Sequence, residues 1–205
     1  MVPGRVYAGT LPSDAAAAVP ATAPAPEAAQ PAGYAGWADL GRFVAASMAT
    51  PAHSALLARG SDTAQPRWAP CENKPRAVLA AVSLLSGKGW TGAPTAAGRQ
   101  WIGALSTMGA TLVLIGIGTP DDAALKAVAT SLGLPPFKPD ETVFTATTDA
   151  TLPGVRAVIA TRYCVVAVAG QRGADFPNGL LPATTPPALA GQWNAGWFLF
   201  APTRS

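Results

Sequence analysis

Charge is scarce in this chain: Asp, Glu, Lys and Arg make up 12% of its 205 residues, against the ~25% of an ordinary soluble domain. The 14 basic residues are scattered singly from Arg5 to Arg204, so the net charge of +3 marks no nucleic-acid surface. Histidine occurs once, as His53, and cysteine twice, as Cys71 and Cys164. These counts exclude a Cys/His zinc cluster, which needs four such ligands, and allow one disulfide at most. A Ser-His-Asp triad would depend on a single histidine in Pro51-Ala52-His53, a context that reads as a surface loop. Acids are missing from Asn73 to Pro120, and no Lys follows Lys138. No apolar run follows Met1-Val2-Pro3-Gly4-Arg5, so no secretory signal is visible.

Gln100–Pro120 carries no charge and is long enough to span a bilayer. Its pattern breaks in two, however. Trp101, Leu105 and Met108 recur at helical spacing, Gly109-Ala110 interrupts, and Thr111–Ile115 is β-branched and strand-like. Helix, turn and buried strand is the better reading, and the chain is expected to have no transmembrane span of its own.

Glycine and proline are abundant, at 21 each. Residues 1–33 hold Ala15–Ala18 and then Pro20, Pro24, Pro26 and Pro31 among alanines. Such an arm has little side-chain volume to bury and favours extended conformations, which suits it to lying on a partner. Residues 34–205 form the globular part. Tyr34, Trp37, Leu40, Gly41, Val44 and Met48 fit one helical face that ends at Thr50-Pro51. Strands are predicted at Arg76–Val82, 111–117, Thr142–Thr145, Cys164–Val168 and Trp197–Phe200. A helix over 95–108 precedes the second strand. Another starts at Thr119-Pro120-Asp121-Asp122, with Thr119 as the capping hydroxyl, and ends at Gly133. A short helix carrying Val155, Val158 and Ile159 precedes the fourth strand. Apolar strands alternating with helices define an open α/β domain with a parallel sheet covered on both faces.

In such a sheet, ligands bind at the carboxyl ends of the strands. Gly87-Lys88-Gly89-Trp90-Thr91-Gly92 matches G-x-G-x-x-G after the first strand. Trp90 is bulky for a phosphate-binding turn, and the first acid beyond it, Asp121, belongs to a helix start. The match reads better as a glycine-rich connector.

More specific is Pro70-Cys71-Glu72-Asn73-Lys74-Pro75-Arg76-Ala77-Val78-Leu79. It resembles the run into the first catalytic strand of bacterial class C acid phosphatases, members of the haloacid-dehalogenase (HAD) superfamily. Gly109–Ile115 resembles the family's second-motif strand. Arg162–Gly170 with Asp175-Phe176 resembles its fourth motif, and Gly196–Pro202 its closing strand. The resemblance implies a HAD-like (Rossmannoid) three-layer α/β/α sandwich on a five-stranded parallel sheet. It also implies a first strand ending in Asp-x-Asp, a Thr or Ser in the second motif, a later Lys, and a fourth-motif acid pair holding magnesium. This chain places Ala81 at the nucleophile position, Ser83 at the acid/base position, Gly116 at the Thr position, Leu152 near the Lys position and Gln171 at the first fourth-motif acid. Asp175 alone matches. Arg156, one turn past Leu152, reads as a solvated helix charge or a lure for anions. The cap that covers the substrate in the family is reduced to about a dozen residues, Ser86–Ala97, which leaves Trp90 as a candidate partner contact on a flatter face.

The strand order of that fold brings Cys71 and Cys164 near one another, so the resemblance makes a disulfide geometrically possible. A disulfide would suit an oxidising compartment, and the resemblance favours an extracytoplasmic (periplasmic) location. Phosphoryl transfer needs a placed nucleophile and charge neutralisation, and neither is expected here. The leading expectation is a pseudoenzyme without cofactor or metal, an accessory subunit bound to other protein subunits, with a membrane complex among the candidate assemblies. A nucleotide- or anion-binding module at the old active-site mouth (Gly87–Gly92, Arg156) is the alternative. An enzyme rebuilt on Ser83 ranks last, because no base can be named beside it.

Overall fold

The computed structural model describes residues 33–49, 53–86, 89–91, 93 and 95–202. The arm therefore lies outside the described residues up to position 32, as do Gly87, Lys88 and Gly92 of the glycine-rich match. Five strands, β1 (Arg76–Ala81), β2 (Thr111–Ile117), β3 (Val143–Ala146), β4 (Cys164–Gly170) and β5 (Trp197–Leu199), form one sheet. The sheet is parallel throughout, in the order β3-β2-β1-β4-β5. Every residue of β4 is buried, as is β1 from Ala77 onward, which is the burial that a sheet covered on both faces imposes.

Among the described residues six α-helices flank the sheet: α1 (Trp37–Ala49), α2 (Val82–Ser86), α3 (Ala96–Thr107), α4 (Asp122–Leu132), α5 (Leu152–Arg162) and α6 (Pro187–Ala190). On one face Leu40 and Val44 of α1, Ile102 and Leu105 of α3, and Leu125 and Val128 of α4 pack on Val78, Ala80, Leu112, Leu114 and Phe198. On the other, Leu152 and Ile159 of α5 pack on Leu79, Val113, Ile115, Phe144 and Val168. Each fully buried side chain of this size contributes roughly 1.5–3 kcal/mol of transfer free energy, so the two clusters hold the three layers together. The second face is completed by the connector before β1. There the Trp197 indole donates to the Ala55 carbonyl (2.8 Å) and the Ala55 amide to that of Val165 (2.6 Å).

Three elements differ locally from the sequence expectation. Val82 does not extend β1: the strand stops at Ala81 and the chain turns at once into α2. The cap of α4 is Asp121, not Thr119; its carboxylate accepts the Ala124 amide at 2.7 Å, so Pro120 lies ahead of the cap. The inner face of α5 is Leu152, Arg156, Ile159 and Ala160, while Val158 is exposed. Helical periodicity requires this, because residue 158 lies about 200° around the helix from residue 156. Gly133 does end α4, in the left-handed conformation (φ 67°) that glycine adopts without a Cβ penalty.

Cys164 opens β4 in register with Arg76 of β1, and a disulfide joins it to Cys71 across a Cα–Cα distance of 4.6 Å.

Candidate functional site: a cleft at the carboxyl ends of the central strands

The chain runs from β1 to β2 and β3 on one side, then crosses back to β4 and β5 on the other. The carboxyl ends of β1 and β4 therefore diverge at a topological switch point, where an open α/β sheet offers its binding crevice. A cleft of 430 Å³ opens there, and Ala81, Ser83, Gly116, Leu152, Arg156, Arg172 and Asp175 line it. The positions singled out from the sequence thus meet in one place, except Gln171. That side chain reaches the Ala201 carbonyl (3.2 Å) instead.

The cleft's chemistry follows from its walls. Its floor, where β1 ends, is the buried methyl group of Ala81. Ser83 stands in the first turn of α2, half-buried. His53 is exposed elsewhere, stacked on Trp68 with ring centroids 4.8 Å apart, so it is no base for Ser83. Asp175 is buried, and its carboxylate accepts the amides of Gln171 (2.8 Å) and Arg172 (2.9 Å). The Arg172 guanidinium lies 3.3 Å from the same carboxylate and 3.5 Å from Asp149. Gly170 makes this turn possible, because a Cβ there would overlap the Asp175 side chain. The retained acid therefore closes the turn after β4. Magnesium requires near-octahedral oxygen coordination, and one carboxylate already committed to two amides and an arginine does not fit it. Among the described residues no group of three or more His, Cys, Asp or Glu assembles.

Trp90 is not the exposed partner contact that the short cap suggested. It is 8% exposed, and its indole donates to the Ile117 carbonyl at 3.0 Å. Its ring covers Gly116, where a Cβ would lie 2.8 Å and 2.9 Å from two ring atoms. The large indole buries its apolar area by folding back over the end of β2, where it also finds a partner for its N–H. Glycine at 116 and tryptophan at 90 are thus complementary, and together they fill this wall of the cleft with apolar surface.

Arg156 is not solvated, and among the described residues it forms no ion pair. Only 5% of it is exposed; it donates to the Ala174 carbonyl, and its Nε has no partner among the described residues. Burial pushes its pKa down to about 10, with Asp175 and Asp149 opposing the shift through their charge. This burial is not legible from residue type, since the arginine occupies a helix position that reads as surface until the register of α5 is known.

No family model matches the chain, and no curated protein does. Among solved structures it is similar to the class C acid phosphatase of Bacillus anthracis, with TM-score 0.58 and 11% identity over 82% of this chain and 75% of that one. The same enzyme with tungstate bound aligns with TM-score 0.55 and 10% identity over the same shares. Identity this low speaks to the fold alone: the chain shares its five-stranded parallel α/β architecture with that acid phosphatase.

Proposed function

We propose that this chain is a non-catalytic protein of acid-phosphatase fold that serves as an accessory subunit of a larger protein assembly. The observation that carries the reading is the floor of the cleft. Ala81 offers a methyl group at the carboxyl end of β1, where phosphoryl transfer would need a nucleophile. Trp90 over Gly116 and the engaged Asp175 support it, because neither leaves a group to orient or neutralise a phosphoryl oxygen. The subunit role is supported by the Pro/Ala composition of residues 1–33 and by the low charge of the chain, which suit a protein lying against others. The disulfide favours an oxidising, extracytoplasmic compartment.

The test is the size and company of the native protein in mild-detergent extracts of its source, by gradient or native-gel separation with mass spectrometry. Stable co-migration with a defined set of proteins is expected. A free species near its own 20.6 kDa would overturn the subunit role. The alternative of an anion held at the old active-site mouth draws on Arg156 and Arg172. It is weakened by the ion pairs that tie Arg172 to Asp175 and Asp149. A serine enzyme built on Ser83 has no base to support it.

A further inference from the structure

Arg156 also lines a second cleft, outside the one between the strand ends. This cleft, of 270 Å³, lies between Leu56–Ser61, the first turns of α5 and Pro177-Asn178. At ~30 Å³ per water it has the volume of about nine waters, ample for a small oxyanion and a modest group attached to it. Its wall before β1 is a braced loop: Ala58 donates to the Arg67 carbonyl (2.7 Å), Ala69 to that of Leu56 (2.9 Å), and Ser61 to that of Ala58 (3.0 Å). Gly60 (φ 69°) makes the turn, and the exposed Arg59 stands beside it at the mouth.

Charge distinguishes this cleft from its neighbour. No acid is among its lining residues, whereas Arg59 and Arg156 both are. Neither arginine forms an ion pair among the described residues. Asp62 follows the loop, but its carboxylate is exposed and accepts the Ala64 amide at 2.9 Å. Asp175 and Asp149 act on Arg156 from a distance, and the guanidinium that pairs with both is that of Arg172. Nε of the buried guanidinium has no acceptor among the described residues and is closed to solvent, so it records the cost of burying this arginine. A buried donor and a buried charge are both costly unless matched. The amino end of α5 adds partial positive charge along the same wall. Asn178 adds a neutral hydrogen-bonding side chain to the lining. The Ser61 hydroxyl, by contrast, is taken up in the loop, accepting the Arg67 amide (2.7 Å) and donating to the Asp62 carbonyl (3.4 Å).

We infer that this outer cleft is a binding site for a small phosphate-type oxyanion, held between Arg156 in the wall and Arg59 at the mouth. The shared chemistry is a doubly charged tetrahedral oxyanion, either free inorganic phosphate or the phosphate of a small monoester. Of the groups that form the site only Arg156 also lines the strand-end cleft; Arg59, Ser61 and Asn178 line the outer cleft alone.

Isothermal titration of the full chain with inorganic phosphate and, separately, with AMP tests the inference. Saturable 1:1 binding is expected for at least one of them. Equal affinities identify the free oxyanion as what is read, and tighter AMP identifies a monoester; either supports the site. Arg59→Ala, at an exposed position, is expected to weaken binding about tenfold, the range of one charge-assisted contact. Arg156→Met, checked for folding by circular dichroism, is expected to abolish it. Arg172→Ala, in the strand-end cleft, is expected to leave it within about twofold. No saturable binding of either ligand to the wild-type chain would overturn the inference. So would binding that survives Arg59→Ala unchanged but is lost with Arg172→Ala, which would move the anion to the strand-end cleft.

Discussion

The pairing of Trp90 with Gly116 can be measured. A Cβ at 116 would sit 2.8 Å and 2.9 Å from Trp90 ring atoms and 2.5 Å from Cγ1 of Val82, well inside contact distance. Gly116→Ala alone is therefore expected to cost about 1–3 kcal/mol, the usual range for overpacking. Trp90→Leu removes the ring atoms and the hydrogen bond to the Ile117 carbonyl, at roughly 2 kcal/mol. In the double variant the alanine methyl occupies space that the ring has vacated. The two costs should fail to add, with a favourable coupling of about 1–2 kcal/mol. The contact with Val82 keeps the coupling from cancelling the whole cost. Urea unfolding followed by far-UV circular dichroism suits this cycle, since six tryptophans complicate fluorescence. Costs that add to within ~0.5 kcal/mol would refute the claim that Trp90 occupies the wall over Gly116.

Two further outcomes are expected. The Cys71–Cys164 bond closes 93 residues of chain; by loop entropy its loss should cost about 4–5 kcal/mol and lower the melting temperature by roughly 10–15 °C. Alkylation of the denatured, unreduced protein should find no free thiol, and two labelled thiols would remove the bond from the fold. Arg156 has a pKa lowered to about 10 on folding, so the folded state holds its proton more weakly than the unfolded chain. The resulting cost, about 3 kcal/mol, is fully present below pH 10 and fades as pH rises beyond it. Arg156→Met relieves that cost but loses the hydrogen bond to Ala174, so a net gain of about 1–2 kcal/mol at pH 7 is expected. The gain should shrink as pH rises past 10. A variant less stable than wild type at pH 7 would contradict this.

The layered sheet was legible because its strands are written as apolar runs: Leu112–Ile115 and all of Cys164–Gly170 are buried in the sheet. The positions around the strand-end cleft were legible for a related reason, since strand ends in such a fold converge on one crevice, and Ala81, Gly116 and Asp175 do meet there. What the sequence did not disclose depends on tertiary register. Arg156 is a surface residue by type, yet it shares a helix face with Leu152 and Ile159. Trp90 reads as a free aromatic on a short connector until the end of β2 is seen beside it, with a glycine to receive the ring. The outer cleft was invisible for the same reason, because its two arginines are 97 positions apart in the chain.

The absence of phosphatase chemistry is tested most directly by turnover. The purified, disulfide-intact chain should be incubated with a generic aryl phosphomonoester and magnesium across acid to neutral pH. Release of phosphate at the rate of the buffer blank, unchanged by metal or chelator, is the expected result. Saturable, magnesium-dependent hydrolysis that Asp175→Asn abolishes would contradict the non-catalytic reading, because it would make the turn-closing carboxylate a metal ligand.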